Sequence, residues 1–173
     1  ATAENGVTPL HVAAENGHIE VVRLLLEQPN VDVHATVESS GLTPLHAAAE
    51  NGHADVVKAL LGRSKIDINK TAESWQLADT RLTPLHMAAY FGRDEVAREL
   101  LLHPDIKVNE TIRGIITFIR PGNRIRITRG NITPLHFAAG NLPKDDMRRQ
   151  FQKAASYNPN KVLRRLLQHS DIN

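Results

Sequence analysis

Thr8-Pro9-Leu10-His11-Val12-Ala13-Ala14-Glu15-Asn16-Gly17-His18 sets a pattern to which the chain returns: Thr-Pro-Leu-His recurs at Thr43–His46, Thr83–His86 and Thr133–His136, at spacings of 35, 40 and 50 residues. Each copy reads as a helix start. Threonine can cap the first orphan N–H groups, and proline at the first helical position lacks only a donor that would be unsatisfied there anyway. A small apolar run closing on Ala-Ala follows, Gly17, Gly52 and Gly92 stop the helix, and a second apolar run comes next. Those second runs are Val21–Leu26, Val56–Leu61, Val96–Leu101 and Val162–Leu167. Every unit is therefore a helix, a turn and a helix.

Helices of this length do not persist alone in water, so each unit must bury its apolar face on its neighbours. The 173-residue chain, 41% hydrophobic and 4% aromatic, thus predicts one elongated domain over residues 1–173. No apolar stretch approaches the length needed to cross a bilayer, and the chain has no cysteine, which excludes disulfides and thiolate chemistry and fits a reducing compartment. Net charge is +2 but unevenly spread. Between Thr111 and Lys144 there is no acidic residue, while Arg113, Arg120, Arg124, Arg126, Arg129 and Lys144 are basic, so the rest of the chain is mildly acidic.

The four Thr-Pro-Leu-His copies, the Glu-Asn-Gly-His turns at Glu15–His18 and Glu50–His53, the Val-Val-x-x-Leu-Leu second helices and the Asp-Ile-Asn closers at Asp67–Asn69 and Asp171–Asn173 resemble the ankyrin repeat over essentially the whole chain. The resemblance implies an all-α solenoid of four helix-turn-helix repeats and a scaffold that binds other proteins without catalysis or cofactor. It also implies that the repeated histidine is a structural hydrogen-bonder tying one unit to the next. The irregular inserts and closers further resemble ankyrin arrays that intracellular bacteria deliver to host cells. Because the chain opens inside a finger and stops at a closer, it is expected to be a fragment of a longer protein.

Departures from the period locate the special features. Thr to second-helix Val spans 13 residues in the first three units. Relative to a period of about 33, the intervals carry roughly 2, 7 and 17 surplus residues, all in the finger between one second helix and the next Thr-Pro-Leu-His. In the third finger, Ile115–Ile119 and Arg124–Thr128 flank Pro121-Gly122-Asn123, which predicts a β-hairpin. Alternation puts Arg124 and Arg126 on one face and Ile125 and Ile127 on the other; the apolar face lies on a neighbouring finger or on a partner. The second finger inserts Glu73–Arg81 and holds the only tryptophan, Trp75, either as an interface anchor or as a cover for the finger. In the fourth unit Thr133 to Val162 spans 29 residues, and Met147, Phe151 and Ala154 or Ala155 at helical spacing predict an extra helix over Lys144–Ser156, with Asn158-Pro159 restarting the second helix.

Nine histidines invite a metal reading, but helices pack about 8–10 Å apart, too far for equivalent histidines to share an ion with ligands at about 2 Å. No nucleophile elbow, phosphate-cradling glycine loop or zinc-protease motif is present, so no catalytic residue is assigned. The family's partner contacts come from finger tips and exposed first-helix positions lining a concave groove. Carried over by position, the residues before Thr-Pro-Leu-His are Val7, Leu42, Leu82 and Ile132, and the pairs after Ala-Ala are Glu15 with Asn16, Glu50 with Asn51, Tyr90 with Phe91, and Gly140 with Asn141. Tyr90 and Phe91 supply large rigid area where the other units are small or polar, and Arg81 replaces the usual finger glycine; the alternative for the aromatic pair is packing beneath the second finger. The resulting contact set is Tyr90, Phe91, Arg81, Leu82, Leu42, Glu50, Asn51, Trp75, Ile132, Arg124 and Arg126.

The expectation is an intracellular, cytoplasmic, monomeric adaptor that binds a protein partner, with the host cytoplasm as its compartment if it is a delivered effector. The runner-up is the recognition arm of a larger enzyme or effector. A third reading has the arginine hairpin on an acidic surface or nucleic acid, disfavoured because Phe118 is the only aromatic there.

Overall fold

The computed structural model describes residues 5–63, 66–74, 77–120, 123–140 and 159–169. Among these, eight helices run in pairs: α1 (Pro9–Glu15) with α2 (Ile19–Leu26), α3 (Pro44–Asn51) with α4 (Ala54–Leu61), α5 (Pro84–Tyr90) with α6 (Asp94–Leu101), and α7 (Pro134–Gly140) with α8 (Pro159–Gln168). First helices stack on first helices (α1, α3, α5, α7) and second helices on second helices (α2, α4, α6, α8), giving the two layers of a helical repeat solenoid.

The helix starts follow from the motif. Thr8, Thr43 and Thr83 have extended backbones, and each Oγ1 accepts from the backbone N–H of the histidine three residues on (3.3–3.4 Å). In the first two units the histidine ring returns the bond: Nδ1 of His11 and of His46 accepts from the backbone N–H of Thr8 (3.1 Å) and Thr43 (3.3 Å). This is a capping box with imidazole in place of glutamate.

The stops are equally specific. Gly17, Gly52 and Gly92 sit at φ of 70°, 88° and 64°, the left-handed region that side chains rarely adopt. Two of them are also pressed by the next unit. A Cβ on Gly17 would lie 2.4 Å from His53 Nδ1, and one on Gly52 would lie 2.9 Å from Arg93 Cδ. The covering side chains bond the turn beneath them: His53 Nε2 to the Glu15 carbonyl (3.0 Å) and Arg93 Nε to the Glu50 carbonyl (2.9 Å).

The core is a continuous seam between units, with Leu10, Leu45, Leu85, Leu60, Leu100 and Leu166 among its fully buried members. Three further contacts stitch successive units: Asn69 donates to the Asp105 carbonyl (2.7 Å) and accepts from Lys107 N–H (2.9 Å), and Arg165 on α8 grips Asp94 on α6 through two bonds of 2.6 and 2.9 Å. That guanidinium holds the Asp94 carboxyl below its usual range.

Both longer fingers are hairpins. The third, β3 (Ile112–Arg120) with β4 (Asn123–Ile132), extends further toward its base than the sequence predicts and carries a bulge between Gly114 and Ile116. The second, β1 (Ala72–Ser74) with β2 (Leu77–Leu82), is read from sequence only as an insertion; its Ala, Glu, Asp and Gln content hides the strand, which forms because Ala72 pairs with Leu82 and both sink into the core. β2 lies beside β3, so the third hairpin rests on its neighbouring finger. Backbone bonds link the fingers in series, Glu38 N–H to Asn5 O (3.0 Å) and Glu73 N–H to Ser40 O (2.8 Å). The predicted helix over Lys144–Ser156 lies outside the described residues, as do Trp75, the Pro121-Gly122 turn and Asn158.

Replacing the fully buried Leu60 by Ala is expected to cost about 2–5 kcal/mol in denaturant unfolding, against less than about 0.5 kcal/mol for Leu102→Ala at an exposed position. Equal, small losses at both would place Leu60 outside the seam.

Candidate partner-binding face

The recurring histidines are spent on the scaffold. Nδ1 lies 2.7–2.9 Å from the threonine Oγ1 of its own unit at His11, His46 and His86, and Nε2 reaches a backbone carbonyl beyond the unit: Leu42 O (3.0 Å), Lys70 O (2.9 Å) and Ile132 O (3.1 Å) respectively. A carbonyl can only accept, so Nε2 carries the proton; a threonine N–H can only donate, so Nδ1 of His11 and His46 is the bare nitrogen. Both ring nitrogens are thus committed in the neutral tautomer. Burial lowers the pKa of His11 and pushes those of His46 and His86 down to about 4. Among the described residues no group of three or more His, Asp or Glu side chains is arranged to hold a metal ion.

Several expected contact residues turn out to be anchors. Leu82 is fully buried, Ile132 nearly so, and Leu42 half-buried against the core, because the residue before each threonine ends a finger whose base pair enters the seam: Ala72 opposite Leu82, Ile112 opposite Ile132. Leu42 and Ile132 also supply the carbonyls that the histidines bind. Glu50, expected on the groove, is 8% exposed with its carbonyl under Arg93. Leu82, Ile132 and Glu50 have little side-chain area left for a partner, whereas Leu42 keeps part of its side chain exposed. Asn51 is exposed, but its Nδ2 turns back to the Ala47 carbonyl (2.9 Å), as Asn16 does to Val12 (2.8 Å).

What remains is concentrated on the third unit. Tyr90 and Phe91 are half-buried and meet edge-to-face, centroids 4.9 Å apart at 88°, and Tyr90 meets Phe137 of α7 in the same way at 5.5 Å. Phe137 also stands edge-on to His86 (5.8 Å). Burial raises the Tyr90 hydroxyl pKa. The pair therefore packs toward the fourth unit while keeping part of each ring open. Arg81 is half-exposed and bonds the Thr71 carbonyl (3.0 Å) and Glu73 (3.4 Å), with its Nη2 against Gly41 of the first finger. In the third finger Arg124 pairs across the strands with Ile119 and Arg126 with Thr117.

Sequence reasoning missed Phe137 and Arg93. Each has a positional signal: Phe137 follows the fourth histidine as Met87 follows the third, and Arg93 follows Gly92 as His53 follows Gly52.

Comparison with known proteins agrees with this architecture. A family model described as ankyrin repeats in three copies matches residues 1–72, and another described as ankyrin repeats in many copies matches residues 48–102. Together they cover residues 1–102, more than half of the 173. The chain belongs to the ankyrin-repeat family. Among curated relatives, 36 residues are 58% identical to part of the E3 ubiquitin-protein ligase XBAT32 of Arabidopsis thaliana, and 36 are 53% identical to part of the probable E3 ubiquitin-protein ligase XBOS32 of Oryza sativa subsp. japonica. Each aligned stretch is 21% of this chain and 7% of the relative. Ankyrin repeats generally mediate protein–protein interaction, and among the described residues no helix is long and apolar enough to cross a membrane.

The buried neutral histidines make stability fall with acid. Above about pH 6.5 these rings are neutral folded and unfolded, and nothing is lost. Between about 6.5 and about 4 the unfolded chain binds protons that folded His46 and His86 refuse, so each costs about 1.4 kcal/mol per pH unit, to a limit of about 3 kcal/mol. Denaturant midpoints should therefore drop between about pH 7 and about pH 5, with both rings still neutral by NMR in the folded protein at the lower value. A midpoint that stays level across that range would show the rings to be accessible.

Proposed function

We propose that this chain is a non-catalytic binding module whose four helix pairs act as four ankyrin repeats and hold a protein partner on the face of the third unit. The carrying observation is the half-open aromatic pair Tyr90–Phe91, fixed edge-to-face against Phe137 on the unit whose finger presents half-exposed Arg81. Aromatic and arginine side chains dominate interface energetics because they bury much area at little entropic cost. The absence of cysteine supports work in a reducing, intracellular compartment.

A second reading makes the chain the recognition arm of a larger enzyme. It is favoured by one observation: both plant relatives are named as ubiquitin ligases, and the matched segment is a small part of each. In either reading the chain binds and does not itself turn over substrate.

Affinity capture with the chain as bait, followed by mass spectrometry, identifies the partner. Wild type is then compared with Phe91→Ala, Arg81→Ala and the hairpin double change Arg124→Ala with Arg126→Ala. Expected is a loss of about 2 kcal/mol, roughly 30-fold in Kd, for Phe91→Ala at unchanged melting temperature, against a mainly salt-dependent change for the double variant. Normal binding by folded Phe91→Ala together with lost binding by the hairpin variant would move the site to the finger.

A further inference from the structure

The hexapeptide Ala-Ala-Glu-Asn-Gly-His occurs twice, at Ala13–His18 and Ala48–His53, and each copy carries the first helix of its unit into the turn. An asparagine followed by glycine is open to attack by the next residue's backbone nitrogen on its own side-chain amide, because glycine puts no Cβ in the way. In both copies the asparagine is exposed, and in both Nδ2 donates to a carbonyl of the preceding helical turn, Asn16 to Val12 (2.8 Å) and Asn51 to Ala47 (2.9 Å). The two side chains start alike.

The backbone nitrogens do not. α3 runs on to Asn51, and the Gly52 N–H donates to the Ala48 carbonyl (3.0 Å), which also receives the His53 N–H (3.0 Å). α1 stops at Glu15, Asn16 is its C-cap with φ −92° and ψ 0°, and the Ala13 carbonyl receives the His18 N–H (2.9 Å) without that of Gly17. Among the described residues the Gly17 N–H has no partner. An amide nitrogen already committed to a carbonyl must give up that bond before it can attack, whereas an uncommitted one starts without that cost.

We infer that Asn16 is a site of spontaneous deamidation in the folded protein and that Asn51, in the same sequence, is shielded from it. The Gly17 nitrogen loses its proton to hydroxide and attacks Asn16 Cγ. The new C–N bond closes a cyclic imide as the Cγ–Nδ2 bond breaks, and Nδ2 leaves as ammonia with a proton taken from water. Water then adds to one of the two imide carbonyls. Opening at Cγ gives aspartate, and opening at the main-chain carbonyl gives isoaspartate, whose backbone runs through Cβ and Cγ. The net change is water in and ammonia out, with no oxidant or reductant.

Either product weakens the turn. A carboxylate carries no N–H, so the Val12 carbonyl loses the Nδ2 bond, and the new negative charge stands at the C-terminal end of α1, where the helix's own carbonyls point. Isoaspartate also lengthens the main chain beneath the His53 ring, which packs on Gly17 and bonds the Glu15 carbonyl (3.0 Å). Modification therefore loosens the seat of the second unit on the first as the protein ages.

Incubation of the 173-residue chain at mildly alkaline pH over days tests this, read by peptide mapping with mass spectrometry that separates aspartate from isoaspartate. Cleavage after glutamate places Asn5, Asn16 and Asn51 in different peptides, so each Asn-Gly pair is followed by itself. Folded protein should accumulate product at Asn16 roughly fivefold or more faster than at Asn51, about the factor that one hydrogen bond represents. In denaturant the two sites should react at equal rates, since only the fold distinguishes them. Asn16→Asp, which carries one product outright, should unfold at a lower denaturant midpoint than wild type. Equal rates in the folded protein, a faster Asn51, or no product at Asn16 over a period in which the unfolded chain reacts at both sites would each overturn the inference, and an unchanged midpoint for Asn16→Asp would overturn the loosening it predicts.

Discussion

One imidazole in each of the first three units sets the terms for everything around it. With Nδ1 turned to its own threonine and the Nε2 proton aimed at a carbonyl in the following finger, the ring caps a helix and ties down a finger at once. The tie constrains only where the finger returns to the stack. The carbonyl that His11 binds is 31 residues away, and the one that His86 binds is 46 away. Loop-closure entropy separates those two spans by only about 0.3 kcal/mol, less than a single hydrogen bond contributes, so a finger can lengthen freely while its base stays fixed. Variation in length along this chain is accordingly lodged in the fingers, with a further surplus of sequence between α7 and α8.

The opposite edge of the stack is governed by a backbone constraint. The helix stop needs glycine for its left-handed φ, and the missing Cβ then gives the following unit room for a flat side chain. His53 fills that space over Gly17 and Arg93 fills it over Gly52. Imidazole and guanidinium are interchangeable here because each is planar and offers an N–H to the carbonyl beneath. Between these turns and the histidine ties, the first two units are held at both ends of their first helices, and the leucine seam fills the space between.

Helix starts, stops and second helices were legible because they depend on local rules: threonine, proline and glycine at fixed offsets, and valine and leucine on one face. The third hairpin was legible for the same reason, from Ile and Thr around a Pro-Gly-Asn turn. The second was not, since Ala72 and Leu82 become a strand pair only by entering a core that other units supply. The burial of several candidate contact residues was hidden for a related reason. Leu42, Leu82 and Ile132 look like finger residues in the linear sequence, yet a finger's last residue is also the first to re-enter the stack, and Glu50 is covered because Arg93 arrives from the next unit. Positional carry-over places a residue in the repeat. It does not say what the neighbouring repeat puts on top.

Partial burial does not count against Tyr90 and Phe91 as a contact surface. A fully exposed aromatic pair would rotate freely and lose that freedom on binding, at about 0.5–1.5 kcal/mol for each side chain immobilised. Here the rings are already fixed at 88° to one another, and Phe137 holds Tyr90 from the far side. Much of the ordering cost is met by folding of the third and fourth units, and the open part of each ring remains for a partner. Their position also differs in kind from that of Leu82 and Ile132. Those two close the base of a finger and have no face left over, whereas Phe91 caps the end of α5, where no further turn of helix shields it. Burial on one side and exposure on the other is what a preorganised anchor requires, and on the third unit the junction that stabilises the stack also fixes the pair proposed for that role.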